Sequence, residues 1–214
     1  IHLVIHTGFA VVIVLLSDWT KVVGFGIIHW FHASVFGGII ITIFTLDFFG
    51  GWLVHFTEHK LGWLWRFHII HHADNSVDVT TGLRHHPVES VLRGIFFLAG
   101  VAFAGAPMYA VMIFQTLLVI TVQFTHANIS LPGWIDKGLS WIIVSPNMHK
   151  VHHHYQLPFT DSNYGAVFSI WDRALGTFMQ LDAKDIIYGI DKHYPNERDE
   201  DFMLLLKHPW TKDF

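Results

Sequence analysis

Histidines in three clusters carry the chemistry that this sequence advertises. They read His55-Phe-Thr-Glu-His59, His68-Ile-Ile-His71-His72 and His149-Lys-Val-His152-His153. On a helix, positions i, i+3 and i+4 share one face. The spacings HxxxH and HxxHH therefore predict two or three imidazoles aimed the same way in each cluster. Neutral imidazole is a ligand for Fe, Zn, Cu and Ni. His126, in Phe124-Thr-His-Ala-Asn128, is a further candidate, and so is one of the pair His85-His86 ahead of Pro87, with His86 preferred. Read singly, His55 and His59, His126 and the 85–86 pair are equally interfacial or helix-terminal histidines. Read jointly, the candidate ligands are His55, His59, His68, His71, His72, His86, His126, His149, His152 and His153. So many imidazoles exceed one ion, and two ions with roughly four to six ligands each fit the number. His154 falls on another helical face than its neighbours and reads as an exposed neighbour or an outer partner of the ligands.

Carboxylates and amides beside the clusters are candidates for fixing imidazole tautomers through the distal ring nitrogen. They are Glu58, Asp74, Asp78, Asn128, Asn147, Asp161 and Asp172. For each, the alternative is a solvated or capping residue. The absence of Cys removes thiolate catalysis, Cys-ligated zinc and iron–sulfur clusters. Two redox-capable ions at a membrane face point to O2 activation on a lipid, whose unactivated C–H bonds need a strong, metal-supplied oxidant. Three other classes are weighed against this. A bis-His haem protein needs facing histidines within the bilayer, where only His2, His6, His29 and His32 lie, and these read as packing or interface residues. A metal transporter needs polar ligands along a mid-span path, and 88–124 offers Gln115 and a few hydroxyls. A zinc-dependent lipid hydrolase uses a similar cage but no O2.

The elements that position these residues are apolar helices. The chain is 52% hydrophobic and 14% charged over 214 residues, against about 25% charged in soluble domains. Net charge is -4, and no basic patch with interleaved aromatics suggests nucleic acid. The predicted spans are 1–16, 22–55, 88–105 and 107–126, with a polar turn at 17–21 and a tight turn at Gly105-Ala106-Pro107. The second span is too long for one straight crossing. Either Gly37-Gly38 breaks it, or its last turns project from the membrane and carry His55 and His59. Trp134 to Val144 is amphipathic and short, as an interfacial helix would be. Residues 56–87 and 127–214 form the predicted cap, in which His193 and His208 read as surface residues. This topology puts every cluster on one side. Lys21 is the one Lys or Arg in a loop on the other side, so the positive-inside rule makes the histidine side cytoplasmic. The expected architecture is an all-α integral membrane protein, one domain over 1–214, with about four spans under a cytosolic helical cap.

The order HxxxH, HxxHH, a single His and a final HxxHH resembles the fatty acid hydroxylase and sterol desaturase superfamily. Asp78-Val-Thr-Thr-Gly-Leu-Arg84-His-His86-Pro87, Asn163-Tyr164-Gly165 and Trp171-Asp172-Arg173-Ala-Leu-Gly176-Thr177 are also similar to it, and the likeness runs from about Asp47 to Thr177. The resemblance implies a membrane non-haem di-iron oxygenase that hydroxylates or desaturates fatty acyl chains, sterols or related lipids with O2 as co-substrate. It implies two Fe ions, with Zn a possible replacement in purified protein. It also implies a separate electron donor of the cytochrome b5, ferredoxin or reductase type. His55, His59, His68, His71, His72, His149, His152 and His153 correspond to family ligands, and His126 and His86 follow them. Some relatives carry a paired HxxxH at the His126 stage, where this chain has Ser130.

Overall fold

The computed structural model describes residues 2–190 and 202–210, so His193 lies outside the described residues. Four helical segments are long and apolar enough to cross a membrane: His2–Trp30, Val35–Lys60, Pro87–Ala104 and Met108–His126. Among the described residues there is no strand, and pairing is limited to isolated bridges between Ile143 and Phe168 and between His154 and Tyr188.

Helix α1 (His2–Val23) runs straight through the polar 17–21 stretch, where the sequence predicts a turn. Its hydroxyls are satisfied without water. Ser17 Oγ donates to the Ala106 carbonyl at 2.8 Å and Thr20 Oγ1 to the Ser17 carbonyl at 2.8 Å. The chain turns instead at Gly24 and Gly26, with φ of +69° and +104°. These angles favour glycine, and a Cβ on Gly26 would collide with the Gly105 backbone. After α2 (Ile27–Trp30), Ser34 caps α3 (Val35–Asp47) by accepting from the Gly37 N–H. α3 passes Gly37-Gly38 unbroken, then continues through a π-helical stretch, Phe48–Leu53, into α4 (Val54–Lys60). One rod therefore crosses the bundle and carries His55 and His59 on its far end.

The π-helical stretch lets this rod approach the loop around 165–168. A Cβ on Gly51 would lie 2.9 Å from Ala166 Cβ and 3.0 Å from Asp47 Oδ1. Gly51→Val should therefore destabilise the protein by about 1–3 kcal/mol through overpacking, read as a lower melting temperature in detergent. An unchanged melting temperature would refute this tight fit.

Helix α5 (Gly62–His72) follows, then α6 (Pro87–Ala104) and α7 (Met108–His126), joined by a turn at Gly105 with φ +67°. α1 packs on α6, and α3 packs on both α6 and α7. Ile13, Leu46, Val101, Ala104, Val111 and Phe114 form the core between them. Leu3, Val4, Leu15, Met112, Val119 and Ile120 face outward and exposed, as lipid-facing positions do. Beyond the bundle lie α8 (Gly133–Leu139), α9 (Pro146–His152), α10 (Ile170–Ala174) and α11 (Phe202–Lys207). α8 is shorter than the amphipathic helix predicted for Trp134 to Val144, because Ile143 and Val144 pair instead with Phe168 and Val167. His208, predicted at the surface, is buried.

Candidate metal centre

The C-terminal ends of α4 and α7, the N-terminal end of α6, and helices α5 and α9 meet at one end of the bundle. They sort nine buried histidines into two groups. Donor atoms of His55, His59, His68, His72 and His152 lie within 4.8 Å of one another, and so do those of His71, His126, His149 and His153. The groups adjoin: the rings of His72 and His153 are 4.7 Å apart, and those of His68 and His71 are 5.2 Å apart. Each HxxHH straddles both groups, where the sequence predicts a single direction. His68 and His72 enter the first group and His71 the second, whereas His149 and His153 enter the second and His152 the first. Residues at i and i+4 overlie one another, while i+3 is rotated to the neighbouring site.

Outer partners fix the rings. The Nδ1 atoms of His55, His71, His126 and His152 lie 3.0, 2.9, 2.9 and 2.7 Å from the carbonyl oxygens of Tyr164, Thr81, Val122 and Ser162. A carbonyl only accepts, so these nitrogens carry the proton and the Nε2 atoms present lone pairs. His149 Nε2 lies 3.0 and 3.2 Å from the Nε2 atoms of His126 and His153. Yet His71 Nε2 faces His126 Nε2 at 3.3 Å, with the proton of each ring held on Nδ1. Two lone pairs at such range repel. A proton in the gap would leave a buried imidazolium without a counter-charge, which is costly. A cation between them removes the conflict: metal–nitrogen bonds of about 2.0–2.1 Å put ligand nitrogens roughly 3.0–3.4 Å apart. In the first group His59 Nε2, His152 Nε2 and both His72 nitrogens are buried with no hydrogen-bond partner among the described residues. Burial pushes His68 down to about 3, against the raising effect of Glu89. Burial, then crowding by other imidazoles, holds His71, His72, His149, His152 and His153 well below the usual histidine range. These rings are neutral at pH 7, the form a metal binds. The donor set is compatible with a metal in each group.

His86 stands apart from both groups. It caps α6, its Nδ1 accepting from the Val88 N–H, and its Nε2 faces the Leu206 carbonyl at 3.3 Å. Proline at the next position favours this capping role. Its neighbour His85 is the one that reaches the centre, stacking on His71 at 5.1 Å and placing Nδ1 2.7 Å from Glu89 Oε1.

Among the candidate outer residues, Asp161 takes His59 Nδ1 at 3.2 Å and Lys60 Nζ at 2.6 Å. Glu58 lies 3.7 Å from His68 Nδ1 but is held by Arg93 Nη2 at 2.5 Å. Asp74 accepts from Thr81 Oγ1 at 2.7 Å, steadying the residue whose carbonyl receives His71. Asp172 accepts from the Tyr164 and Gly165 N–H groups at 2.8 and 2.9 Å and from Trp52 Nε1 at 3.0 Å, steadying the carbonyl that receives His55. The remaining candidates lie elsewhere. Asp78 caps the exposed Thr80 turn, Asn128 is exposed, and both Asn147 amide atoms pair with Leu131. Their proximity in sequence to a histidine is undone by the turns that point them away.

Sequence reasoning missed Glu89 and Arg93. Glu89 Oε1 receives His68 Nδ1 at 2.9 Å and Arg93 Nε at 3.1 Å, and Arg93 bridges on to Glu58. The available signal was an acid and a base four apart at the head of an apolar helix. It also missed Asp47, fully buried, which accepts from the Val167 and Phe168 N–H groups at 2.9 and 3.1 Å and from Trp171 Nε1 at 2.9 Å. Asp172→Ala would release the Tyr164 turn and leave two buried N–H groups unpaired, at about 1–3 kcal/mol each. The expected result is a loss of several degrees in melting temperature, with Asp172→Asn intermediate. Equal melting temperatures for both variants and the parent would remove this role.

The chain belongs to the fatty acid hydroxylase family, whose model matches residues 39–177. Its relatives are named as lipid hydroxylases and monooxygenases. The alkylglycerol monooxygenase of Xenopus tropicalis is 29% identical over 175 residues, covering 78% of this chain and 36% of that protein. The ornithine lipid hydroxylase of Rhizobium tropici is 28% identical over 130 residues, covering 61% and 38%. The human cholesterol 25-hydroxylase is 27% identical over 143 residues, covering 64% and 48%. The chain thus spans 36% of the Xenopus protein's length. No solved structure gives a significant match.

Proposed function

We propose that this chain is an O2-dependent di-iron oxygenase that hydroxylates a membrane lipid, with its metal centre on the cytoplasmic face. The observation that carries the reading is the convergence of nine buried histidines in two adjoining groups at the end of four apolar helices. The five-histidine and four-histidine groups would each hold one iron. When bound, the metal pair supplies O2 reduction and the abstraction of hydrogen from an unactivated C–H bond.

The chain's own part is positional. The carbonyls of Tyr164, Thr81, Val122 and Ser162 keep Nδ1 protonated and turn Nε2 inward. Glu89 and Asp161 orient His68 and His59 and make those rings better donors. Burial of the rings keeps water from the reacting centre. The outward apolar faces of the bundle let a lipid substrate approach from the bilayer. Electrons would come from a donor protein of the cytochrome b5, ferredoxin or reductase type. The names of the relatives support a lipid with an alkyl, acyl or sterol body as substrate.

The test is lipid mass spectrometry of cells with and without the protein, grown under 18O2. A new lipid species carrying one 18O is expected. Product formed without O2, or labelled only from water, would replace the oxygenase reading with hydrolysis by the same cage.

A further inference from the structure

A second site lies behind the metal centre. A cavity of about 610 Å³ opens between α8, the N-terminal part of α9 and residues 178–183. None of the metal-group histidines lines it. Arg173 does, and its guanidinium is fixed in place. It sits between the Trp141 ring at 4.1 Å and the Phe178 ring at 3.8 Å, while Nε and Nη2 donate to the Ser140 carbonyl at 3.2 and 2.9 Å. Nη1 has no partner among the described residues. Lys137 lines the same cavity. Among the described residues neither cation is in an ion pair. The lining also carries two acids: Asp136 accepts from Ser145 Oγ at 2.5 Å, and the exposed Asp182 lies 3.7 Å from Lys184. Ser140 also belongs to the lining, where its hydroxyl is sealed from solvent and its carbonyl holds Arg173.

We propose that this cavity binds the phosphate of a membrane phospholipid headgroup. Arg173 and Lys137 supply the positive charge, and guanidinium and ammonium both make charge-assisted bonds to phosphate. The unpartnered Nη1 of Arg173 donates the directed bond. The position selects a lipid over a soluble anion. The cavity follows directly on the membrane-spanning α7, and exposed Trp134, Trp141 and Ile142 mark the nearby chain as interfacial. Leu131, Met148, Val151 and Leu181 offer an apolar wall for the glycerol and first methylenes. Met148 and Val151 alternate along α9 with His149 and His152, so a lipid seated here braces the helix that carries those histidines. This site stands on its own geometry and does not rest on the oxygenase reading.

The experiment uses the full chain, delipidated in dodecyl maltoside, and reads the melting temperature against added probe. The probes are dihexanoyl phosphatidylglycerol, dihexanoylglycerol without phosphate, and inorganic phosphate. The phospholipid should raise the melting temperature, dihexanoylglycerol should not, and inorganic phosphate should need roughly tenfold or more higher concentration for the same rise. Arg173→Gln and Lys137→Gln should each shift the phospholipid midpoint by about tenfold, the size of one charged hydrogen bond. Lys137 is exposed, so its variant keeps the test alive should Arg173→Gln fail to fold. Equal shifts with and without phosphate, equal potency of inorganic phosphate, or an unchanged midpoint in Lys137→Gln would each overturn the proposal.

Discussion

His71→Ala should strip the second group of its metal, while His152→Ala should weaken the first group less completely. His71 belongs to a set of four, so its loss leaves three imidazoles. His152 belongs to a set of five, so four remain. Removing even an outer partner of a metal ligand typically costs about 10–100-fold in affinity or activity, and removing a ligand itself should exceed the upper figure. Turnover should therefore vanish in both variants, whereas metal analysis should separate them: close to one ion per chain for His71→Ala and an intermediate value for His152→Ala. Both should still insert, because neither residue lies in the bundle core formed by Ile13, Leu46, Val101 and Phe114. The stability response carries its own sign. In metal-free protein the inward lone pairs oppose one another, so truncating His71 removes one repulsive contact, that with His126 Nε2 at 3.3 Å. Chelation should lower the melting temperature of the parent, because metal binding is coupled to folding. It should lower that of His71→Ala less. Full metal content with retained turnover in either variant would sink the ligand assignment.

The membrane helices were legible because apolar length is a one-dimensional property, and the turn at Gly105 was legible because Gly-Ala-Pro can do little else. The 17–21 stretch misled because Ser17 finds its partner across the fold at Ala106, which no local pattern reveals, while Thr20 bonds back to the Ser17 carbonyl within the helix. Histidine spacing indicated which residues meet at one end, but not how they divide. The division depends on a rotation of one residue along α5 and α9, which places His71 and His152 across the boundary from their neighbours. The choice between His85 and His86 was equally hidden. Both precede Pro87, and only the capping geometry of α6 shows that His86 is spent on the Val88 N–H. Asp161 lies 102 residues from His59, and Asp172 steadies a nearby turn whose carbonyl meets His55 from 109 residues away, so their roles are tertiary facts. Glu89 and Arg93 went unread for another reason: charges at a helix head ordinarily face water, and here they face the histidines.

Glu89 should be the most damaging position outside the ligands themselves, and two substitutions separate its two roles. Its side chain is fully buried and receives His68 Nδ1, His85 Nδ1 and Arg93 Nε on one oxygen at 2.9, 2.7 and 3.1 Å. Glu89→Ala leaves His68 N–H without its acceptor and leaves Arg93 with Glu58 as its remaining anion. Breaking a buried charge pair from one side costs about 3–5 kcal/mol, enough to consume much of a typical protein's margin of roughly 5–15 kcal/mol. The variant should express poorly and melt far below the parent. Glu89→Gln keeps the shape and an acceptor oxygen for His68 but removes the negative charge. It should fold, hold His68 in the same tautomer, and lose about 10–100-fold in metal affinity, read by competition with a chelator. The contrast between the two is the measurement. Glutamine behaving like alanine in melting would show that charge balance with Arg93 dominates. Both behaving like the parent would show that His68 is held by its helix alone and that the carboxylate does nothing for the centre.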